Sequence, residues 1–129
     1  MTLKPVAFYQ PNLGADVEFF FSKDGKTLGS EKVFSSGEMK TNNGTSKFIC
    51  DGVQAEFNPA PSHCRELIRN DFVRALSELK TTMQNKGVTM DMTPVIEVDK
   101  EHFDSLSEDS KRFGCLPSYN AYTKDVSKI

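Results

Sequence analysis

Residues 53–58 read Val-Gln-Ala-Glu-Phe-Asn and follow the dipeptide Asp51-Gly52, which is typical of a tight turn. In a β-strand, successive side chains point to opposite faces of the sheet. One face of this predicted strand is therefore apolar, and the other carries the polar side chains of Gln54, Glu56 and Asn58. Such a row offers oxygen atoms to a metal ion or a substrate.

A second stretch, residues 16–21, reads Asp-Val-Glu-Phe-Phe-Phe and alternates in the same way. Asp16 and Glu18 share one face with Phe20, so two predicted strands direct acidic side chains to one side of a sheet. Half-buried antiparallel strands alternate by default, and their polar face can simply be solvated. The pattern therefore leaves two interpretations open, a solvated surface and a binding site.

The composition is that of a folded globular protein. The chain has 129 residues, of which 37% are hydrophobic and ten are Phe, and no linker or repeat divides it, so we expect one domain over residues 1–129. Lysine and arginine are scattered and the formal net charge is -2, which argues against a nucleic-acid partner. No apolar run approaches the roughly 18 residues of a membrane span and no signal-peptide core is present, so we expect a soluble, cytoplasmic protein without membrane contact.

The cysteines and histidines give little support for other kinds of site. Cys50, Cys64 and Cys115 are widely spaced and form no C-x-x-C motif, which suits a reducing compartment and matches no zinc finger or ribbon. His63 and His102 are interpreted as cap or surface residues, so catalysis by a Ser/His/Asp or Cys/His arrangement has weak support. No glycine-rich phosphate loop is present.

Turn residues predict the other strands. Asp24-Gly25 predicts a hairpin between an acidic strand over about 15–22 and a return strand near 26–30. Residues 35–46 are rich in Ser, Gly, Asn, Thr and Lys without a period, and they predict a loop. This loop is either a plain connection or a substrate loop, and the sequence leaves its role open. Residues 47–50 then return the chain to the sheet.

Helical periodicity predicts one long helix. Apolar residues recur every three or four positions between Ser62, the expected N-cap, and Gly87, which is expected to end the helix. The apolar stripe predicted to pack on the sheet contains Leu67, Ile68, Phe72, Val73, Ala75, Leu76, Leu79 and Met83. Residues 88–98 alternate again and predict an edge or bulged strand, because Pro94 interrupts them. Asp99 is expected to cap a short helix that ends near residue 112.

Short strands with one long and one short helix predict an α+β fold, in which the helices pack on one face of a mainly antiparallel sheet. Carboxylate and amide groups on the concave face of such a sheet suit hard cations, above all Mg²⁺. A metal ion there would act as a Lewis acid and clamp for phosphoryl transfer.

Three stretches carry a resemblance to a known family. Residues 14–20 read Gly-Ala-Asp-Val-Glu-Phe-Phe, residues 51–58 read Asp-Gly-Val-Gln-Ala-Glu-Phe-Asn, and residues 113–122 read Phe-Gly-Cys-Leu-Pro-Ser-Tyr-Asn-Ala-Tyr. They resemble, in the same order and spacing, the Gly-Ala-Asp-Pro-Glu-Phe-Phe, Asp-Gly-x-x-x-Glu-Phe-Asn and Gly-Cys-Asp-Pro-Asp-x-Asn-Ala motifs of phage-encoded COOH-NH2 ligases. These amidoligases belong to the glutamine-synthetase-like superfamily. Cys115 and Asn120 are the residues that mark the third motif.

The resemblance implies an ATP-dependent carboxylate–amine ligase, which activates a carboxylate as an acyl phosphate and captures it with an amine. It implies Mg²⁺ and ATP as cofactors, Glu18 and Glu56 as metal ligands, and Asn58 as a metal or substrate contact. Asp16 and Gln54, on the same predicted face, are further candidates for such contacts. The residue that performs the chemistry and the acid and amine that are joined stay open.

The chain departs from the family in two ways. Val17 stands in place of a proline, and Leu116 and Ser118 in place of two acids. Family members are also longer and continue into a Gly-Gly-His-type motif and phosphate-binding arginines. We therefore expect this chain to be the N-terminal half of an amidoligase, either truncated or completed by a second polypeptide. Whether the chain is active alone stays open.

The competing hypothesis is a non-catalytic phage protein, a structural or host-interaction module that keeps the half-sheet as a binding surface. A half-sheet exposes an edge and an apolar patch where the missing half would pack. We therefore expect self-association or binding to a partner protein. The expected location is the cytoplasm of an infected bacterium, with the virion as the alternative.

Overall fold

The computed structural model describes residues 11–112 and 119–126, and it has the predicted α+β architecture. The main sheet contains β1 (Val17–Lys23), β2 (Lys26–Leu28), β3 (Gly37–Thr41), β4 (Gly44–Asp51), β5 (Gln54–Asn58) and β6 (Thr89–Asp91). The helices are α1 (Arg65–Lys86) and α2 (Lys100–Ser105), with short 3₁₀ helices at Ser30–Lys32 and Asp109–Lys111. A separate two-stranded sheet joins β7 (Tyr119–Asn120) to β8 (Asp125–Val126). Within these residues, no helix is both long and apolar enough to cross a bilayer.

All strand pairs in the main sheet are antiparallel. The strand order is β2-β1-β5-β4-β3, and β6 also pairs with β1. Phe20 pairs with Gln54 of β5 and with Asp91 of β6, so β6 lies along the edge of β1 opposite to β5. β1 and β5 are thus central strands, whereas β3 ends the sheet.

The two predicted glycine turns are confirmed. Asp24 and Gly25 between β1 and β2 have φ values of 52° and 74°, as a type I′ turn requires. Gly52, which begins the turn between β4 and β5, has a φ value of 64°. Most L-residues are strained in this region of φ, whereas glycine is not. Gly25 and Gly52 therefore favour the two tight turns, and these turns set the register of both hairpins.

The prediction of a loop over residues 35–46 is wrong. β3 and the first half of β4 form a hairpin around Asn42 and Asn43. β3 is a short edge strand in which Met39 is the one apolar residue, between the exposed Glu38 and Lys40, so its alternation is too brief to indicate a strand. Strand propensity measures how well side chains fit a half-buried surface, and this strand is held instead by its backbone pairing with β4.

The core lies between α1 and the apolar face of the sheet. Its buried members are Phe19, Phe21, Val33, Ala55, Phe57, Ala75, Leu79 and Val88. Six phenylalanine rings from the sheet, the helix and the segment before β3 touch in succession, with centroid distances of 4.9 to 6.0 Å. These edge-to-face and tilted contacts account for much of the phenylalanine content and fix the apolar face predicted from alternation.

Helix α1 ends as predicted but begins later. Gly87 follows it in the left-handed conformation, with a φ value of 64°. The N-cap is Cys64 rather than Ser62, and its side chain makes no capping hydrogen bond. Ser62 instead pairs with Leu13, whose backbone N–H donates to the Ser62 carbonyl at 2.7 Å. The prediction failed because a tertiary backbone contact holds Ser62 outside the helix.

The predicted stripe of α1 is buried only in part. Ala75 is buried, whereas Leu67 and Val73 are 38% and 49% exposed. Asp71, which is 3% exposed, occupies the buried side instead. Its carboxylate accepts a hydrogen bond of 2.6 Å from the Thr41 hydroxyl, which ties α1 to β3. Thr41 lies in the hairpin that was predicted to be a loop. Periodicity within the helix therefore did not indicate this contact.

Residues 88–98 form a shorter strand than predicted. β6 ends at Asp91, whose carboxylate accepts a hydrogen bond from the Thr93 backbone N–H at 2.8 Å and turns the chain just before Pro94. Asp99 caps α2 as expected, since its carboxylate accepts from the His102 backbone N–H at 2.8 Å. The second helix is shorter than predicted and ends at residue 105.

Candidate functional site

The sheet face opposite the phenylalanine core is polar. We call it the polar face, and by strand alternation and register it comprises Glu18, Phe20, Ser22, Thr27, Glu38, Lys40, Thr45, Lys47, Ile49, Asp51, Gln54, Glu56, Asn58, Thr89 and Asp91. Four of the residues predicted to form the site, Glu18, Gln54, Glu56 and Asn58, are therefore on one face. Asp16, just before β1, joins them through a hydrogen bond.

Glu18 and Glu56 are direct cross-strand partners on β1 and β5. The Cβ atoms of such a pair are about 5 Å apart, and like charges placed directly opposite each other destabilise a sheet. The sheet therefore concentrates negative charge on two adjacent central strands. A bound cation would relieve this repulsion.

Two amide side chains donate hydrogen bonds to the acidic groups. Gln54 Nε2 donates to Glu18 Oε2 at 2.9 Å. Asn58 Nδ2 donates to Glu56 Oε1 at 2.6 Å and to Asp16 Oδ1 at 2.7 Å. These hydrogen bonds orient the three carboxylates and offset part of their repulsion. They form two separate groups, Gln54 with Glu18 and Asn58 with Glu56 and Asp16.

The carboxylate oxygens on this face are donors that suit a hard cation. Among residues 11–112 and 119–126, no three Asp, Glu, His or Cys side chains converge in the arrangement of a metal site. Mg²⁺, however, is commonly held by one or two carboxylates together with water and substrate phosphates. The pair Glu18 and Glu56 has the ligand chemistry for such a partial site.

The polar face also carries lysines that the sequence analysis did not single out. Lys47 pairs with Asn58 across β4 and β5, and together with Asp16 and Thr45 it lines a cavity of about 280 Å³. Lys40 pairs with Thr45, and its ammonium donates to the Thr45 hydroxyl at 2.6 Å. Alternation in residues 47–50 placed Lys47 on one face of a predicted strand. Its neighbours on β3 could not be predicted, because residues 35–46 were assigned to a loop and form a hairpin instead.

A larger cavity, of about 420 Å³, lies away from these residues. It is lined by Glu31, Phe34, Ser35, Ser36, Cys50, Gly52, Asp109 and Arg112. Burial disfavours the Glu31 carboxylate, but hydrogen bonds from the Ser107 and Ser110 hydroxyls outweigh that effect, so the pKa of Glu31 lies below its ordinary value of 4.5. Since no predicted site residue lines this cavity, we assign its polar contacts to the fold.

Two further candidates, Cys115 and Asn120, come from the third motif. Cys115 lies outside the described residues. Asn120 belongs to β7, where its backbone pairs with Asp125 in the separate sheet. His102 Nε2 lies 2.6 Å from the Thr27 carbonyl, which joins α2 to β2.

Comparison with known proteins adds no assignment. No family model, curated protein or solved structure matches the chain. The resemblance of three stretches to amidoligases therefore stays a prediction.

Proposed function

We propose that the polar face is the metal- and nucleotide-binding surface of an ATP- and Mg²⁺-dependent ligase-like protein that joins a carboxylate to an amine as an amide. The observation that supports this proposal is the facing pair Glu18 and Glu56 on the central strands, in which Gln54 donates to Glu18 and Asn58 donates to Glu56. The resemblance to phage amidoligases, in which acids at these positions bind metal, supplies the reaction class.

Each group on the polar face has a role in this proposal. Glu18 and Glu56 would hold Mg²⁺, which as a Lewis acid stabilises charge on a phosphoryl group. Gln54 and Asn58 would keep the two carboxylates in position through their hydrogen bonds. Lys47, beside the 280 Å³ cavity, would attract an anionic group of the nucleotide or of the acid substrate.

The proposal assigns one part of the family's reaction to the polar face. In the family, the Gly-Gly-His-type motif and the phosphate-binding arginines come from a later part of the chain. We propose that the 129 residues bind the metal and the nucleotide at the polar face, in the cytoplasm of an infected bacterium.

A second function has its own support. The amide hydrogen bonds give Asp16, Glu18 and Glu56 partners within the chain, which is also how a stable polar surface without a cofactor would be built. In this alternative, the protein is a non-catalytic phage structural or host-interaction module that uses the sheet as a binding surface.

Isothermal titration of Mg²⁺ and then ATP into the purified chain separates the two proposals. We expect Mg²⁺-dependent ATP binding that Glu18→Gln and Glu56→Gln each weaken by at least about tenfold, because each removes one ligand charge. Lys47→Gln should keep Mg²⁺ binding and weaken ATP binding. Glu78→Gln is the matched control, since this exposed acid lies on α1, against the other face of the sheet.

The ligase-like proposal fails if the wild-type chain binds neither Mg²⁺ nor ATP while circular dichroism shows it folded. It also fails if binding survives in both glutamate variants. In either case the non-catalytic module becomes the preferred function.

A further inference from the structure

β3 carries an edge that has no strand partner within the described residues. In the part of the chain that the structure describes, β3 pairs with β4 alone, through the hairpin at Asn42 and Asn43. Glu38 and Lys40 are exposed, and Met39 between them is half-buried against the core. An unpaired edge of this kind is a template for another strand.

The hairpin register determines which backbone groups face that edge. Thr41 and Gly44 flank the two-residue turn, and this flanking pair in a hairpin exchanges backbone hydrogen bonds. Along an antiparallel pair, hydrogen-bonded and non-hydrogen-bonded residue pairs alternate. The backbone groups of Met39 therefore bond to β4, and the backbone N–H and C=O groups of Glu38 and Lys40 point outward, away from β4. The free edge thus presents two donors and two acceptors from two charged residues.

We propose that β3 pairs with β3 of a second copy of the chain, antiparallel and around a two-fold axis at Met39. In this register Glu38 of one copy lies opposite Lys40 of the other, and the same pair occurs again by symmetry. These are the residues whose backbone groups point outward, so each pair also exchanges two backbone hydrogen bonds. The backbone hydrogen bonds and the side-chain charges therefore favour the same register between the two β3 strands.

The dimer would continue the sheet without changing its faces. A two-fold axis perpendicular to the sheet places both polar faces on one side and both α1 helices on the other. The two Met39 side chains would meet as a non-hydrogen-bonded pair, in which side chains approach most closely, at the seam between the two cores. This inference does not depend on metal or nucleotide binding.

A charge-reversal experiment tests the register. Sedimentation equilibrium is measured across the micromolar range for the wild-type chain, for Lys40→Glu and for Glu38→Lys. Each variant alone places like charges opposite each other twice, so its dimer dissociation constant should rise by about tenfold or more. An equimolar mixture of the two variants restores two Glu–Lys pairs and should form a heterodimer of near wild-type affinity.

Restoration in the mixture also guards against misfolding, since Glu38→Lys places a lysine opposite Lys47 within the chain. Lys80→Glu, a reversal at an exposed site on α1, is the matched control and should leave association unchanged. The proposal is overturned by a wild-type chain that is monomeric throughout the range, by association larger than a dimer, or by a dimer that the reversals do not weaken. It is also overturned if mixing the variants restores no dimer.

Discussion

At the scale of residues, the central feature is the placement of Glu18 directly opposite Glu56. Alternation predicted that both acids would lie on one face, and this is confirmed. It did not predict that the two would be cross-strand partners, because β1 and β5 are separated in the chain by β2, β3 and β4 and no single turn sets their register. Nor did it predict that Asn58 would donate to two different carboxylates.

The repulsion between these acids is measurable. In buffer without divalent cations, Glu56→Gln should raise the free energy of unfolding by about 0.2–1 kcal/mol, because it removes a like-charge pair and keeps an oxygen that accepts from Asn58. Urea unfolding of the wild type, both single variants and the Glu18→Gln/Glu56→Gln double variant measures this. Once one charge is gone, the second substitution should add little.

Magnesium extends the same measurement. A Mg²⁺ concentration ten times the dissociation constant should stabilise the wild type by about 1.4 kcal/mol and the double variant much less. A loss of stability in Glu56→Gln without metal would contradict the repulsion. Equal stabilisation of wild type and double variant by Mg²⁺ would place the cation elsewhere.

At the scale of elements, the turn between β4 and β5 is held against the second 3₁₀ helix. Gly52 has a φ value of 64°, and a Cβ atom built there would lie 2.8 Å from the Arg112 carbonyl oxygen and 2.9 Å from that of Ser110. The Ser30 hydroxyl also donates to the Gly52 carbonyl at 3.0 Å. Three separate segments therefore meet at one glycine.

Gly52→Ala should thus cost more stability than Gly25→Ala. Both glycines have positive φ, so each substitution costs about 1–2 kcal/mol of backbone strain. Only at position 52 must backbone atoms also move, because nothing lies within 4 Å of a Cβ atom at Gly25. We expect Gly52→Ala to lose at least about 1 kcal/mol more, measured by chemical denaturation. Equal losses would show that the 3₁₀ helix does not press on the turn.

At the scale of the whole molecule, Glu31 links the region before β3 to the segment after α2. Its carboxylate accepts hydrogen bonds from the Ser107 hydroxyl at 2.6 Å and from the Ser110 hydroxyl at 2.8 Å. These bonds join residues more than 70 positions apart and lower the pKa of Glu31 in the folded state despite partial burial.

The lowered pKa makes stability depend on pH. The ionised carboxylate favours the folded state, so its contribution is present above the unfolded pKa, near 4.5, and is lost as the pH falls through the lower folded pKa. Since the group is only partly buried, solvent screening should limit this contribution to about 1 kcal/mol. Unfolding free energies measured between pH 6 and about pH 3 should fall less steeply for Glu31→Gln than for the wild type or the control Glu97→Gln. Parallel curves would contradict the assignment.

The sequence by itself determined the features that depend on neighbouring residues. Alternation in residues 53–58 separated the polar from the apolar face, glycine turns placed two hairpins, and Gly87 ended the long helix. Each follows from local backbone geometry or side-chain period, so these features and the α+β class could be predicted.

Only the tertiary structure decided the features that depend on distant residues. β3 is a strand because β4 offers it a backbone partner, and Ser62 stays outside α1 because it pairs with Leu13. Asp71 is buried because Thr41 donates to it, and Lys47 joins the candidate site because register places it opposite Asn58. Partners separated by many residues leave no periodic signal in the chain, since their contact exists only after the sheet has formed.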